Sequence, residues 1–136
     1  MRLSDEQLAQ YFGDGFLIVE DVFDEQELQP VLDDFEDMVD GWADKLYEAG
    51  KIADRHQGED VYTRLWSLEK EWPGAAALVH QREMLRPALA KIWSSDTLLD
   101  MVQHFIGTDI CGTPFSVIRS KTPNTALMTV PWHQDS

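Results

Sequence analysis

Cysteine is nearly absent from this 136-residue chain. Cys111 stands alone, which excludes an internal disulfide and leaves a small buried apolar side chain as the expected role of its thiol. Long apolar runs are absent too. No stretch of 18 or more apolar residues occurs, so no segment is expected to span a membrane. Met1-Arg2-Leu3-Ser4-Asp5-Glu6 turns acidic at once and lacks the apolar run of a secretory signal. With the solitary cysteine, this predicts a reducing, cytoplasmic setting.

Basic residues are scarce, 11 Lys and Arg against 25 Asp and Glu, for a net charge of -14. Phosphate recognition needs clustered cations, so neither nucleic acid nor an acidic membrane surface is an expected partner. The imbalance is local. Residues 1–60 hold 18 acids and 4 bases, whereas residues 61–136 hold 7 of each. The acidity therefore belongs to the N-terminal helices and reads as a solvated helical face.

What is present is ordinary globular material. Hydrophobic residues make up 43% and charged ones 26%, enough to build the core of one domain over residues 1–136. Ser4 predicts an N-cap closed by Gln7, opening a short helix with Leu8, Tyr11 and Phe12 on its apolar edge. Gly13-Asp14-Gly15 breaks that helix, and Phe16-Leu17-Ile18-Val19 reads as a short buried strand. Asp21 or Asp24 can cap a long second helix whose stripe runs Leu28, Val31, Leu32, Phe35, Val39, Trp42 and Leu46, with Gly50 at its end.

Residues 51–60 read as loop and Val61 to Leu68 as extended chain. Ala75 to Ile92 reads as largely helical, bent near Pro87. Ser95 caps a further helix bearing Leu98, Leu99, Val102, Phe105 and Ile106, which Gly107 stops. The texture then changes. Phe115-Ser116-Val117-Ile118 and Ala126-Leu127-Met128-Thr129-Val130 read as strands around a turn at Pro123-Asn124. Residues 1–109 are thus expected to be mostly helical, and residues 110–136 to hold the first strands of a sheet.

The chemistry is carried by Trp132-His133-Gln134-Asp135-Ser136. Side chains alternate along a strand, so His133 and Asp135 would share one face. Two such ligands on one face are what a 2-His-1-carboxylate iron centre requires. The pair alone is weak, since 4 His and 15 Asp give roughly 0.4 chance matches. Its position after a strand and after Pro131-Trp132 gives it weight.

Three stretches together resemble the N-terminal part of the phytanoyl-CoA dioxygenase family of Fe(II)/2-oxoglutarate oxygenases. They are Tyr11 to Phe23 with its Asp14-Gly15-Phe16 turn, Leu98 to Ile110 with Gly107, and Val130 to Ser136. The resemblance covers nearly the whole chain. It implies an α+β fold in which N-terminal helices pack on the beginning of a double-stranded β-helix, a jelly roll cut at Ser136. It implies His133 and Asp135 as iron ligands and O₂ as co-substrate. Arg64 and Gln134 are implied as 2-oxoglutarate contacts, with Arg119 and Lys121 ranked behind Arg64. The distal histidine and the arginine for the 2-oxoglutarate tail would follow Ser136. Halogenating relatives carry a small residue in place of the carboxylate, so Asp135 implies hydroxylation of a small organic substrate.

Other readings stand beside this one. The chain could be a non-catalytic fragment, or a half that needs a partner. A zinc hydrolase would need His104 or Cys111 near the pair, at a spacing that matches no zinc pattern. His56, His80 and His104 read as a solvated loop residue and two helix residues. Trp42 reads as core, Trp66, Trp72 and Trp93 as core or rim, and Trp132 as packed. Neither substrate nor oligomeric state is written in these residues.

Overall fold

The computed structural model describes residues 2–80, 82–123 and 130–133. The described chain is mostly helical. Its elements are α1 (Asp5–Asp14), α2 (Glu25–Glu48), α3 (Val61–Glu71), a 3-10 segment (Ala75–Val79), β1 (Arg82–Met84), α4 (Pro87–Trp93), α5 (Asp96–Ile106) and β2 (Phe115–Val117). β1 and β2 pair antiparallel with Arg82 opposite Val117 and Met84 opposite Phe115. The expected strand at Ala126 to Val130 and the Asn124 half of its turn fall almost wholly outside the described residues. A jelly roll is not present among the described ones.

The chain divides into two compact units. One comprises residues 1–31 and 85–114, the other residues 32–84 and 115–136.

In the first unit, local capping sets the helix ends. Ser4 accepts from the Gln7 N–H while the Gln7 side chain accepts from the Ser4 N–H, closing the expected box. Gly15, at φ 80°, ends α1 with its N–H on the Tyr11 carbonyl. Asp24, rather than Asp21, caps α2, in a second reciprocal box with Glu27. Ser95 caps α5 and Gly107 stops it. Tyr11 and Phe105 stack with ring centroids 4.2 Å apart. Buried apolar residues here are Leu3 and Met101.

Several expectations for this unit are corrected. Phe16 to Val19 forms no strand; Phe16 and Ile18 are exposed, and among the described residues no neighbouring segment pairs with this one in a ladder. Cys111 is exposed rather than buried. Pro87 does not bend a helix but starts one. Its fixed φ and missing N–H suit the first helical position, and they hold Arg86 extended at ψ 148°.

The second unit holds the main core. Val39, Ala43, Leu46, Ile52, Leu68, Ala75 and Val79 are buried together, with Trp42, Val61, Leu65 and Trp72 packed around them. α2 supplies the first three, of which Val39 and Leu46 belong to the expected stripe and Ala43 does not. The end of α2 is a two-bond cap: Gly50 N–H to the Tyr47 carbonyl and Lys51 N–H to the Leu46 carbonyl, with Gly50 at φ 63°.

Val61 to Leu68 is helix, not extended chain. Asp60 accepts from the N–H groups of Tyr62 and Thr63. The β-branched Val61 and Thr63 sit in the first turn, and Val61, Leu65, Leu68 and Trp72 recur at helical spacing to meet the core.

Two carboxylates lock α3 to its surroundings. Glu69 is buried, and its oxygens accept from Gly74 N–H at 3.0 and 3.1 Å and Ala76 N–H at 2.8 Å, tying the helix to the start of the 3-10 segment. Glu71 accepts from Ala53 N–H at 2.7 Å and meets His56 Nε2 at 2.6 Å. His56 Nδ1 lies 3.2 Å from Glu59, so this histidine is clamped between two carboxylates rather than merely solvated. Ser67 in turn donates to Glu59 at 2.7 Å.

Removing the Glu69 carboxylate leaves the buried Ala76 N–H and the half-buried Gly74 N–H just before the 3-10 segment without their acceptor. Glu69→Ala is expected to cost about 2–3 kcal/mol in urea denaturation, against under about 0.5 kcal/mol for Glu36→Ala on the exposed side of α2. Glu71 titrates below the ordinary carboxylate range because the Ala53 N–H, and next His56, favour its charged form. A lowered folded value stabilises above the unfolded value and is lost as pH falls through the folded one. Wild-type melting temperature should therefore fall between about pH 5 and 3 more steeply than that of Glu71→Gln.

Candidate functional site

The segment that follows β2 is placed by one short contact. The Ser120 hydroxyl donates to the Ala76 carbonyl at 2.6 Å, fastening residues 119–121 to the 3-10 segment that Glu69 anchors from its other side. Arg119 and Lys121 flank that serine and are exposed. Both line a hollow of about 480 Å³ with Val130, Pro131, Trp132 and His133. The two basic residues ranked second from the sequence thus stand beside the expected iron ligand.

His133 is exposed, and its Nδ1 lies 2.8 Å from the Pro131 carbonyl. A carbonyl only accepts, so Nδ1 carries the proton and the lone pair of the neutral ring is on Nε2. Metal-binding histidines commonly use this arrangement, because a backbone acceptor on one nitrogen orients the other. Gln134 and Asp135 lie outside the described residues. Among the described residues, no three His, Cys, Asp or Glu side chains converge where a metal ion could be held.

Arg64 is elsewhere and otherwise engaged. It lies on α3, only 5% exposed. Its Nη1 pairs with Asp40 of α2 at 2.5 Å, and its Nε donates to the Arg55 carbonyl at 2.9 Å. Its Nη2 is buried without a hydrogen-bond partner among the described residues. The guanidinium borders a polar hollow of about 370 Å³ shared with Glu36, Asp40, Glu59 and Asp60, and His133 is not among the residues lining it. That carboxylate-rich surrounding repels an anion such as 2-oxoglutarate. Sequence reasoning missed the structural use of Arg64 because Asp40 and Arg55 are far from it along the chain.

Of the tryptophans, Trp42 and Trp72 pack against the core as expected. Trp93 is 43% exposed, and Trp132, expected to pack, is fully exposed beside His133. His80 is exposed where the 3-10 segment ends, and His104 sits within α5.

Adjoining the His133 hollow is an apolar groove of about 380 Å³. Its walls include Phe35, Met38, Val61, Leu65 and Ile118, and Arg119 and Lys121 line it as well. The two cations therefore border both spaces. Searches against family models, curated proteins and solved structures returned no match.

The two sets of cations should separate on mutation. Arg64→Ala strands Asp40 and the Arg55 carbonyl and opens a hole beside the core, so a loss of about 2–3 kcal/mol is expected. Arg119→Ala and Lys121→Ala, whose side chains are exposed, should each stay within about 0.5 kcal/mol of wild type by thermal or urea denaturation.

Proposed function

We propose that this chain carries the proximal iron motif of an Fe(II)/2-oxoglutarate-dependent oxygenase of the phytanoyl-CoA dioxygenase family, which hydroxylates a small organic substrate. The observation that carries the reading is the His133 ring: its Nδ1 proton is held by the Pro131 carbonyl, and its Nε2 lone pair is the donor a ferrous ion takes.

The residues fit the group. Neutral imidazole and carboxylate are ligands suited to non-haem Fe(II). His133 and Asp135 would hold the ion, completed by a second histidine supplied by residues following Ser136 on a jelly-roll scaffold. When bound, the iron and 2-oxoglutarate together supply the oxidising power that replaces C–H with C–OH.

The chain's own residues do the rest. The Pro131 carbonyl keeps the His133 ring in one tautomer and one orientation. Arg119 and Lys121 make the neighbourhood of His133 positive within a strongly acidic protein, which favours arrival of anionic reactants. Gln134 keeps its proposed contact with the co-substrate. Arg64 does not, because its guanidinium serves Asp40 and the Arg55 carbonyl. The apolar walls of the adjoining groove exclude water from the reacting carbon.

Sequencing the reading frame past Ser136 tests this first. A histidine about one hairpin pair further on, followed by an arginine on the next strand, is expected; a stop directly after Ser136 would overturn catalysis by this chain alone. In the protein bearing those residues, His133→Ala and Asp135→Ala should each lower 2-oxoglutarate-dependent O₂ consumption about 100-fold or more.

A further inference from the structure

The groove beside the His133 hollow has a definite chemical character. Phe35 and Met38 come from α2, and Val61 and Leu65 from α3. Ile118 closes it from the segment after β2. Its volume, about 380 Å³, falls in the range of small-ligand sites. Apolar walls of this kind reward a hydrocarbon body with about 25 cal/mol for each Å² removed from water.

The charge at its rim is the second observation. Arg119 and Lys121 are exposed, and neither makes an ion pair or side-chain hydrogen bond among the described residues. Elsewhere Arg55 pairs with Asp44, Arg64 pairs with Asp40, and Lys45 and Lys70 lie over tryptophan rings. The chain has 25 acids for 11 bases, yet no Asp or Glu is among the described residues lining either the groove or the His133 hollow that these two cations border. They are also the last two basic residues of the sequence, and they fall at the groove bordering His133.

We propose that the groove binds an amphipathic organic anion, its apolar body against Phe35, Met38, Leu65 and Ile118 and its carboxylate or equivalent group held by Arg119 and Lys121. That this ligand is the substrate rests on the oxygenase reading above; that it binds does not. The carboxylate anchored at Arg119 and Lys121 places the adjoining carbons between the groove and the hollow that His133 lines. A neutral alcohol of the same length lacks the anchor, and a short dianion lacks the apolar body. Both halves of the recognition are thus separately removable.

The test is equilibrium binding to the full chain in metal-free buffer, followed by titration calorimetry or tryptophan fluorescence, with decanoate, 1-decanol and succinate as probes. Decanoate should bind at least about 10-fold more tightly than either of the others, and more weakly as salt is raised. Arg119→Glu and Lys121→Glu, both surface changes, should each weaken decanoate about 10-fold or more while leaving the melting temperature near wild type. Tyr62→Glu, at the exposed lip of the groove, should weaken decanoate as well. Decanol binding as tightly as decanoate, succinate binding as tightly, undiminished binding by the two charge reversals, or no decanoate binding by the folded chain would each overturn the proposal. Binding without iron-dependent turnover in the protein extended past Ser136 would sink the oxygenase reading and leave the groove assignment standing; turnover without decanoate binding would do the reverse.

Discussion

The second unit depends on satisfying two charges that α3 carries inward. Arg64 and Glu69 are both buried, and a buried ion is tolerated only with partners and hydrogen bonds. Arg64 finds them in α2 and in the loop that follows it. Glu69 finds them in the backbone of the 3-10 segment. Because the partners lie on different segments, satisfying the charges fixes where those segments run. Leu68, 1% exposed and beside Glu69 in the sequence, adds the apolar contact that makes the same placement favourable. The hydrophobic core supplies the driving force and the two ions select the arrangement.

That selection reaches the candidate site through a short chain of contacts. Glu69 holds the first turn of the 3-10 segment, Ala76 in that turn accepts the Ser120 hydroxyl, and Arg119 and Lys121 flank Ser120. The cations near His133 are thereby positioned by a buried acid that touches neither them nor any ligand. A rigid support of this kind is what a binding constellation needs, since loose placement by an ångström costs much of its effect.

What the sequence disclosed follows from the range over which each signal acts. Capping is local, so Ser4, Gln7, Ser95, Gly15 and Gly107 could be read at sight, and so could the α2 stripe through Val39 and Leu46. The failures are residues whose state is decided at long range. Val61 to Leu68 carries strand-like residue types, but the Asp60 cap and the core facing Val61, Leu65 and Leu68 make it a helix. Phe16 to Val19 has strand composition and no strand to pair with among the described residues. Arg64 looked like a surface or ligand-binding cation, because nothing near it in the chain names Asp40 or the Arg55 carbonyl as its partners. At the candidate site, the His133–Asp135 spacing and the basic residues Arg119 and Lys121 could be named from the sequence, whereas the contact of His133 Nδ1 with the Pro131 carbonyl and the shared hollow of Arg119, Lys121 and His133 could not.

The distribution of charge connects these points. An excess of acid over the first 60 residues is cheap where water solvates it, and Arg55 and Arg64 are drawn into pairs with two of those acids, Asp44 and Asp40. Arg64 illustrates the result: a guanidinium surrounded by Asp40, Glu59 and Asp60 is neutralised by its own protein and has little attraction left for an anion. Beyond residue 110 the acids thin out, leaving Asp135 as the one carboxylate. A cation there keeps its field. A chain this acidic can hold an organic anion only where its own carboxylates have been cleared away, and the stretch around Arg119, Lys121 and His133 is where the sequence clears them.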